Sequence, residues 1–186
     1  MRLVRGLGMG ALALGLAAPF AGSPSRTPQR GLDLDSVARA IADGSDHVSA
    51  RQLAEWIRDR RTGLRVIDVR SPAEFRHDAI PTAENVPVDR LATSRFAPDE
   101  TIVLYSQEGA HAGQAWVMLR SLGVTKAVFL PGGLADWRDE VLSPWLPVNG
   151  SPTERAQIAA LSHYFGGSPR TGGEQEAGRS LRRRGC

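Results

Sequence analysis

An α/β fold built on a five-stranded parallel sheet is what this sequence predicts, and three observations carry it. Apolar, β-branched runs alternate with helical periods along the chain, the pattern of a parallel sheet covered on both faces. The run Ile102-Val-Leu-Tyr105 is continuously apolar and reads as a buried strand. After the short polar loop that follows it, Ala112, Ala115, Trp116, Leu119 and Leu122 recur at helical spacing, and Gly123 marks the stop.

Taken in order, the chain opens with Met1-Arg-Leu-Val-Arg, then an apolar Ala/Leu/Gly run to Phe20, then small residues. That is the order of a secretory signal, assigned to residues 1–23; the alternative is an uncleaved anchor. Residues 24–46 form a Pro-containing linker and a short helix marked by Leu34, Val37 and Ile41, with Asp43-Gly44 ending it. The globular domain spans residues 47–148. Its strands are expected near Val48 and at Leu64–Val69, Ala83–Val86, Thr101–Tyr105 and Ala127–Leu130. Ser49 and Gln52 suit a capping box, and Leu53, Trp56 and Ile57 line the face of the helix that follows. Residues 149–167 hold a C-terminal helix with Ser151 as cap, Pro152 in its first turn and Ile158, Leu161 and Phe165 on one face. From residue 168 to 186 the chain is Gly, Arg, Glu and Ser with almost nothing apolar, so it is expected to be unstructured alone. It closes Arg-Arg-Arg-Gly-Cys186.

Composition bounds the function. At 186 residues, 41% hydrophobic, the chain suits one packed domain plus extensions. A formal net charge of +3 gives no reason to invoke nucleic acid. A single cysteine excludes an internal disulfide. No His/Cys/Asp/Glu cluster has metal-ligand spacing, and no cofactor is implied.

Five motifs occur in a fixed order: Asp68-Val-Arg70 closing a strand, Glu74-Phe, Ile80-Pro-Thr-Ala-Glu-Asn-Val-Pro, the loop Ser106 to His111, and Gly132-Gly133 with Trp137. Together they resemble a rhodanese-like domain from about His47 to about Val141. The resemblance implies a single domain of that fold, with the site on the six-residue loop. A loop entering a helix N-terminus aims several N–H groups at one spot, which suits an anion and lowers the pKa of a thiol.

The departures from the family matter as much. Its loop begins with Cys and ends with Arg, where this sequence has Ser106 and His111. Asp78-Ala79 stand where Gly-His is usual, and Thr82 replaces a glycine. A serine hydroxyl is far less acidic than a thiol and cannot usefully carry a persulfide. The loop should therefore not run thiosulfate-to-cyanide transfer.

The loop residues Ser106, Gln107, Glu108, Gly109, Ala110 and His111 nonetheless form the candidate anion cradle. Glu108 adds opposing charge, and a protonated His111 would restore positive charge in part. Asp68 and Arg70 are expected to brace the loop by ion pairing, and Glu74 and Asn85 to serve as framework. His77 reads as a surface residue, His47 and His163 as isolated, and Trp56, Trp116 and Trp137 as core.

The leading expectation is an exported, periplasmic rhodanese-like protein. It would bind a partner or handle sulfur without ordinary thiosulfate sulfurtransferase activity. The alternative makes Cys186 a mobile persulfide arm loaded by a sulfur donor. About twenty flexible residues have an r.m.s. reach of roughly 25 Å, on the scale of the domain. The same tail offers a Cys186-linked dimer or contact of its arginines with anionic lipid. A Ser106-based hydrolase comes last, since no third residue orients His111.

Overall fold

The computed structural model describes residues 33–171. The expected signal segment, residues 24–32 of the linker, and residues 172–186 with Cys186 lie outside that range. Helix α1, Leu34–Asp43, begins where the Asp33 side chain accepts the Ser36 N–H and ends at Gly44, whose φ of 71° is left-handed. Ser49 likewise accepts the Gln52 N–H and starts α2, Ala50–Arg58. Strand β1, Leu64–Asp68, leads to α3, Pro72–His77, whose reciprocal capping box pairs Ser71 with Glu74. Then come β2 (Glu84–Asn85), α4 (Val88–Leu91), β3 (Thr101–Tyr105), α5 (Ala110–Ser121) and β4 (Ala127–Phe129). Helix α6, Gly133–Trp137, runs on into a π-helical turn, Arg138–Leu142. Helix α7, Pro152–Tyr164, starts where Ser151 accepts the Glu154 N–H.

The sheet has four strands, not the expected five, all parallel and ordered β2-β1-β3-β4. The segment at Val48 is reduced to one bridge, His47 to Phe129. Phe129 N–H donates to Asp46 O and Val48 N–H to Phe129 O, each at 3.0 Å. Ser49 then turns the chain into α2 before a ladder can extend. The apolar signal at Val48 reflects burial, but the capping serine beside it limits the strand to a single residue.

Period-2 alternation sends β3 side chains into two cores. Val103 and Tyr105 pack with Leu53, Leu134 and Trp137 on one face; Ile102 and Leu104 pack with Ala115, Trp116 and Leu119 on the other. This is why the run is apolar without a break. The strand order reverses at β1: the chain first goes to β2 on one side, then returns to β3 on the other. That places a switch point at the carboxyl ends of β1 and β3, where a crevice is expected in such sheets.

Past α7 the chain stays attached. Ser168 N–H donates to Leu142 O and Arg170 N–H to Pro144 O, at 2.7 and 2.8 Å. Residues 168–170, grouped by their composition with an unstructured tail, are therefore tied to the turn that follows α6.

Candidate functional site

Register fixes the site. Asp68 stands opposite Tyr105, so Ser106 leaves β3 beside Val69 and Arg70. Val69 N–H donates to Tyr105 O at 3.0 Å, holding the two strand ends together. The loop is pinned from the other side by α6. Leu134 N–H donates to Ser106 O at 2.9 Å and Ala135 N–H to Gln107 O at 3.2 Å. Such close approach needs Gly133, because a Cβ there would lie 2.1 Å from Ser106 O. It needs Gly109 too: its φ is 89°, and a Cβ would fall 1.5 Å from Pro131 O.

Ser106 is 2% exposed, and its Oγ accepts the Gly109 N–H at 3.0 Å. The hydroxyl thus ties down the loop at the residue that precedes α5. His111 is exposed on the first turn of α5, and among the described residues no hydrogen bond joins it to Ser106. The Glu74 carboxyl is held below its usual range chiefly by hydrogen bonds from Ser71, with smaller contributions from Arg70 and His111. The arrangement lacks the nucleophile–base contact a hydrolase requires. Glu108 and Ala110 are exposed at the rim.

Arg70 is the hub beneath the loop. Its Nε and Nη2 reach the buried Asp68 carboxylate, Nη2 to Oδ2 at 2.7 Å. Its Nη1 donates to Gln107 Oε1 at 3.1 Å, and Nη2 also to Asp78 O at 2.6 Å. Burial works against the Arg70 charge, but the hydrogen bonds and charge of Asp68 carry its pKa above the ordinary value. Asn85 Nδ2 donates to the carbonyls of Asp68 and Arg70, which makes it the framework residue its motif implied. The Tyr105 hydroxyl accepts the Ile80 N–H at 3.1 Å and joins the Ile-Pro turn to the same strand end.

Beside the loop lies an open cleft of about 410 Å³, lined by Arg70, Glu74, His77, Asp78, Gln107 and Arg138. Of these, Asp78 is visible in the sequence as a departure from the family, whereas Arg138 is not. Asp78 pairs with Arg70 Nη1 at 3.4 Å and also with Arg138, just past α6. The residue that departs from the family's glycine therefore places a carboxylate between the two cations of the cleft. The sequence offered one signal, the carboxylate at Asp78, and none for its partner sixty positions on. The structure thus brings Asp68, Arg70, Ser106 and Gln107 together and leaves His111 apart from Ser106. Cys186 lies outside the described residues. Among those residues, no group of three His, Cys, Asp or Glu side chains could hold a metal ion.

Comparison with known proteins agrees with this geometry. The model of the rhodanese-like domain matches residues 49–140. The slr1261 protein of Synechocystis is 35% identical over 99 residues, 52% of this chain and 50% of that protein. A sulfurtransferase of Allochromatium vinosum is 28% identical over 94 residues, 50% of this chain and 87% of that one. The thiosulfate sulfurtransferase PspE of Escherichia coli is 34% identical over 74 residues, 38% of this chain and 70% of PspE. The chain thus spans half the length of the Synechocystis relative and larger shares of the two sulfurtransferases. With its motifs, its loop scaffold and these relatives in agreement, the chain belongs to the rhodanese-like domain family.

Proposed function

We propose that this protein handles sulfane sulfur without using its loop as the carrier, and that Cys186 is the carrier thiol. The observation that carries the reading is Ser106. Its oxygen sits buried at the nucleophile position and is already engaged by Gly109 N–H, so the loop has no thiol to load. The surrounding scaffold is nevertheless complete, with Arg70 bracing Gln107 and both glycines closely packed. Two relatives bear the name sulfurtransferase, which supports a role in sulfur chemistry. The sequence contains one cysteine to supply it.

The transfer balances without an external oxidant. The Cys186 thiolate attacks the terminal sulfur of a polysulfide or protein persulfide. A new S–S bond forms to Cys186, the donor's S–S bond breaks, and the donor leaves as a thiolate or shorter polysulfide. An acceptor nucleophile then takes the terminal sulfur, and Cys186 departs as thiolate. The three arginines near Cys186 favour the anionic forms. In this reading the loop and its cleft receive the tail or a partner.

A second reading rests on the Asp78 pairs with Arg70 and Arg138, which leave little free positive charge at the cleft. They favour a binding module for a partner that is not an anion. Cyanide-labile sulfur transfer by the full chain separates the two. Sulfur handling through the tail requires transfer that survives Ser106→Ala and disappears in Cys186→Ser. A pure binding module shows no transfer in any of the three proteins.

A further inference from the structure

The opposite end of the sheet carries a second cleft, unrelated to the loop. It has a volume of about 640 Å³ and lies against Thr101 and Ala127, the first residues of β3 and β4. Ser106 follows the far end of β3, so one strand length, about 17 Å, separates the two sites. Four basic residues from separate parts of the chain line this cleft: Arg39 of α1, Arg61 after α2, Arg120 of α5 and Lys126 before β4. Asp43 is the one carboxylate in the lining.

Elsewhere in the domain, Arg58, Arg65, Arg70, Arg138 and Arg170 have a carboxylate partner, while Arg51, Arg60, Arg76, Arg90, Arg95 and Arg155 have none within ion-pair distance among the described residues and do not converge on this cleft. Among the described residues, none of the four cations of this cleft has one within ion-pair distance. Arg39 Nε donates to Asp35 O at 3.1 Å, and two of the other cations are likewise positioned without being neutralised. Arg120 Nη1 donates to Thr125 O at 2.5 Å and its Nη2 to Ser36 Oγ at 3.1 Å. The Arg61 guanidinium lies over the Trp56 ring, 4.1 Å from its centroid. Both sets of contacts orient a planar donor fork while its full charge remains. The Asp43 carboxylate accepts the Ser45 N–H at 2.9 Å, which turns part of its acceptor capacity inward.

From this concentration of oriented, unpaired cations in a concave site, we infer that the cleft binds a small, multiply charged oxyanion. Guanidinium forks and an ammonium group suit the oxygens of a di- or triphosphate group or a polycarboxylate. The concavity favours a compact ligand over an extended acidic chain.

The test uses the full chain and the intrinsic fluorescence of its tryptophans, since Trp56 and Trp116 border this cleft. Pyrophosphate, tripolyphosphate and citrate are titrated at low salt, with a Glu-rich peptide as a fourth arm. Saturable one-to-one binding of a phosphate or of citrate is expected, and the ranking of those arms identifies the oxyanion. Arg39→Glu and Lys126→Glu, both at exposed positions, should each weaken it about tenfold or more. Arg138→Ala, in the other cleft, should leave it unchanged. Circular dichroism and thermal melts establish that each variant is folded. Non-saturating responses would overturn the inference. So would affinity that withstands both charge reversals, or binding of the peptide alone.

Discussion

Gly109 donates its backbone N–H to the side-chain oxygen of Ser106 at 3.0 Å, within a buried loop. The atom that a loop thiol would use as nucleophile is here a structural acceptor. Its role is to satisfy a donor that would otherwise be buried and unpaired.

Replacing Ser106 with Ala should therefore cost stability before it costs function. An unsatisfied buried N–H corresponds to about 1–3 kcal/mol. Denaturant unfolding should show a lower midpoint with an unchanged slope. Sulfur uptake by the full chain should persist. Loss of uptake from a folded Ser106→Ala protein would give the hydroxyl a chemical role that this account denies it.

Asp78 should oppose anion binding in the cleft beside the loop, because it occupies both Arg70 and Arg138. Restoring Cys at position 106 and Arg at 111 should give weak thiosulfate:cyanide activity. Adding Asp78→Gly should raise kcat/KM for thiosulfate several-fold, with the effect largest at low salt. An equal or lower value in the triple variant would show that the Asp78 carboxylate does not control the site.

Tyr105 links stability to alkaline pH. Burial first, and the charge of Asp68 second, push its phenol well above the ordinary pKa. A folded pKa above the unfolded one favours the folded state while the phenol stays protonated. Its contribution is complete below about pH 10, the unfolded value, and is lost as pH rises toward the folded one. Melts of the wild type should fall steeply above that pH. Tyr105→Phe should start less stable, through loss of the Ile80 N–H acceptor, and decline less over the same range.

Much of this architecture could be read from local sequence. Ser49 and Ser151 announced their helices because a cap needs only a side chain and an N–H a few residues on. The buried run before Ser106 announced β3 because it faces two cores. The strand at Val48 failed because its length depends on pairing with Phe129, which the capping Ser49 cuts short. At the site, Ser106 and Arg70 were visible through their motif positions. The Asp78–Arg138 pair was not, since sequence periodicity says nothing about ions that meet across sixty positions. The Ser106-based hydrolase that the sequence placed last needs His111 bonded to Ser106, and among the described residues no hydrogen bond joins the two.

The charged, apolar and small-residue order at the N-terminus leads us to propose export. Mature protein from the native host should begin between about residues 22 and 31. N-terminal sequencing decides it; Met1 retained in a soluble cytoplasmic fraction would remove the proposal. In an oxidising compartment, disulfide pairing of two Cys186 residues would compete with sulfur loading.

The central claim is that sulfur resides on Cys186 and not on the loop, and locating the sulfur atom tests it most directly. The full-length protein is incubated with polysulfide, alkylated, digested and mapped by mass spectrometry. One added sulfur is expected on the peptide containing Cys186, absent from Cys186→Ser and present in Ser106→Ala. Wild-type protein with no added sulfur on that peptide, or sulfur retained elsewhere in Cys186→Ser, would contradict it.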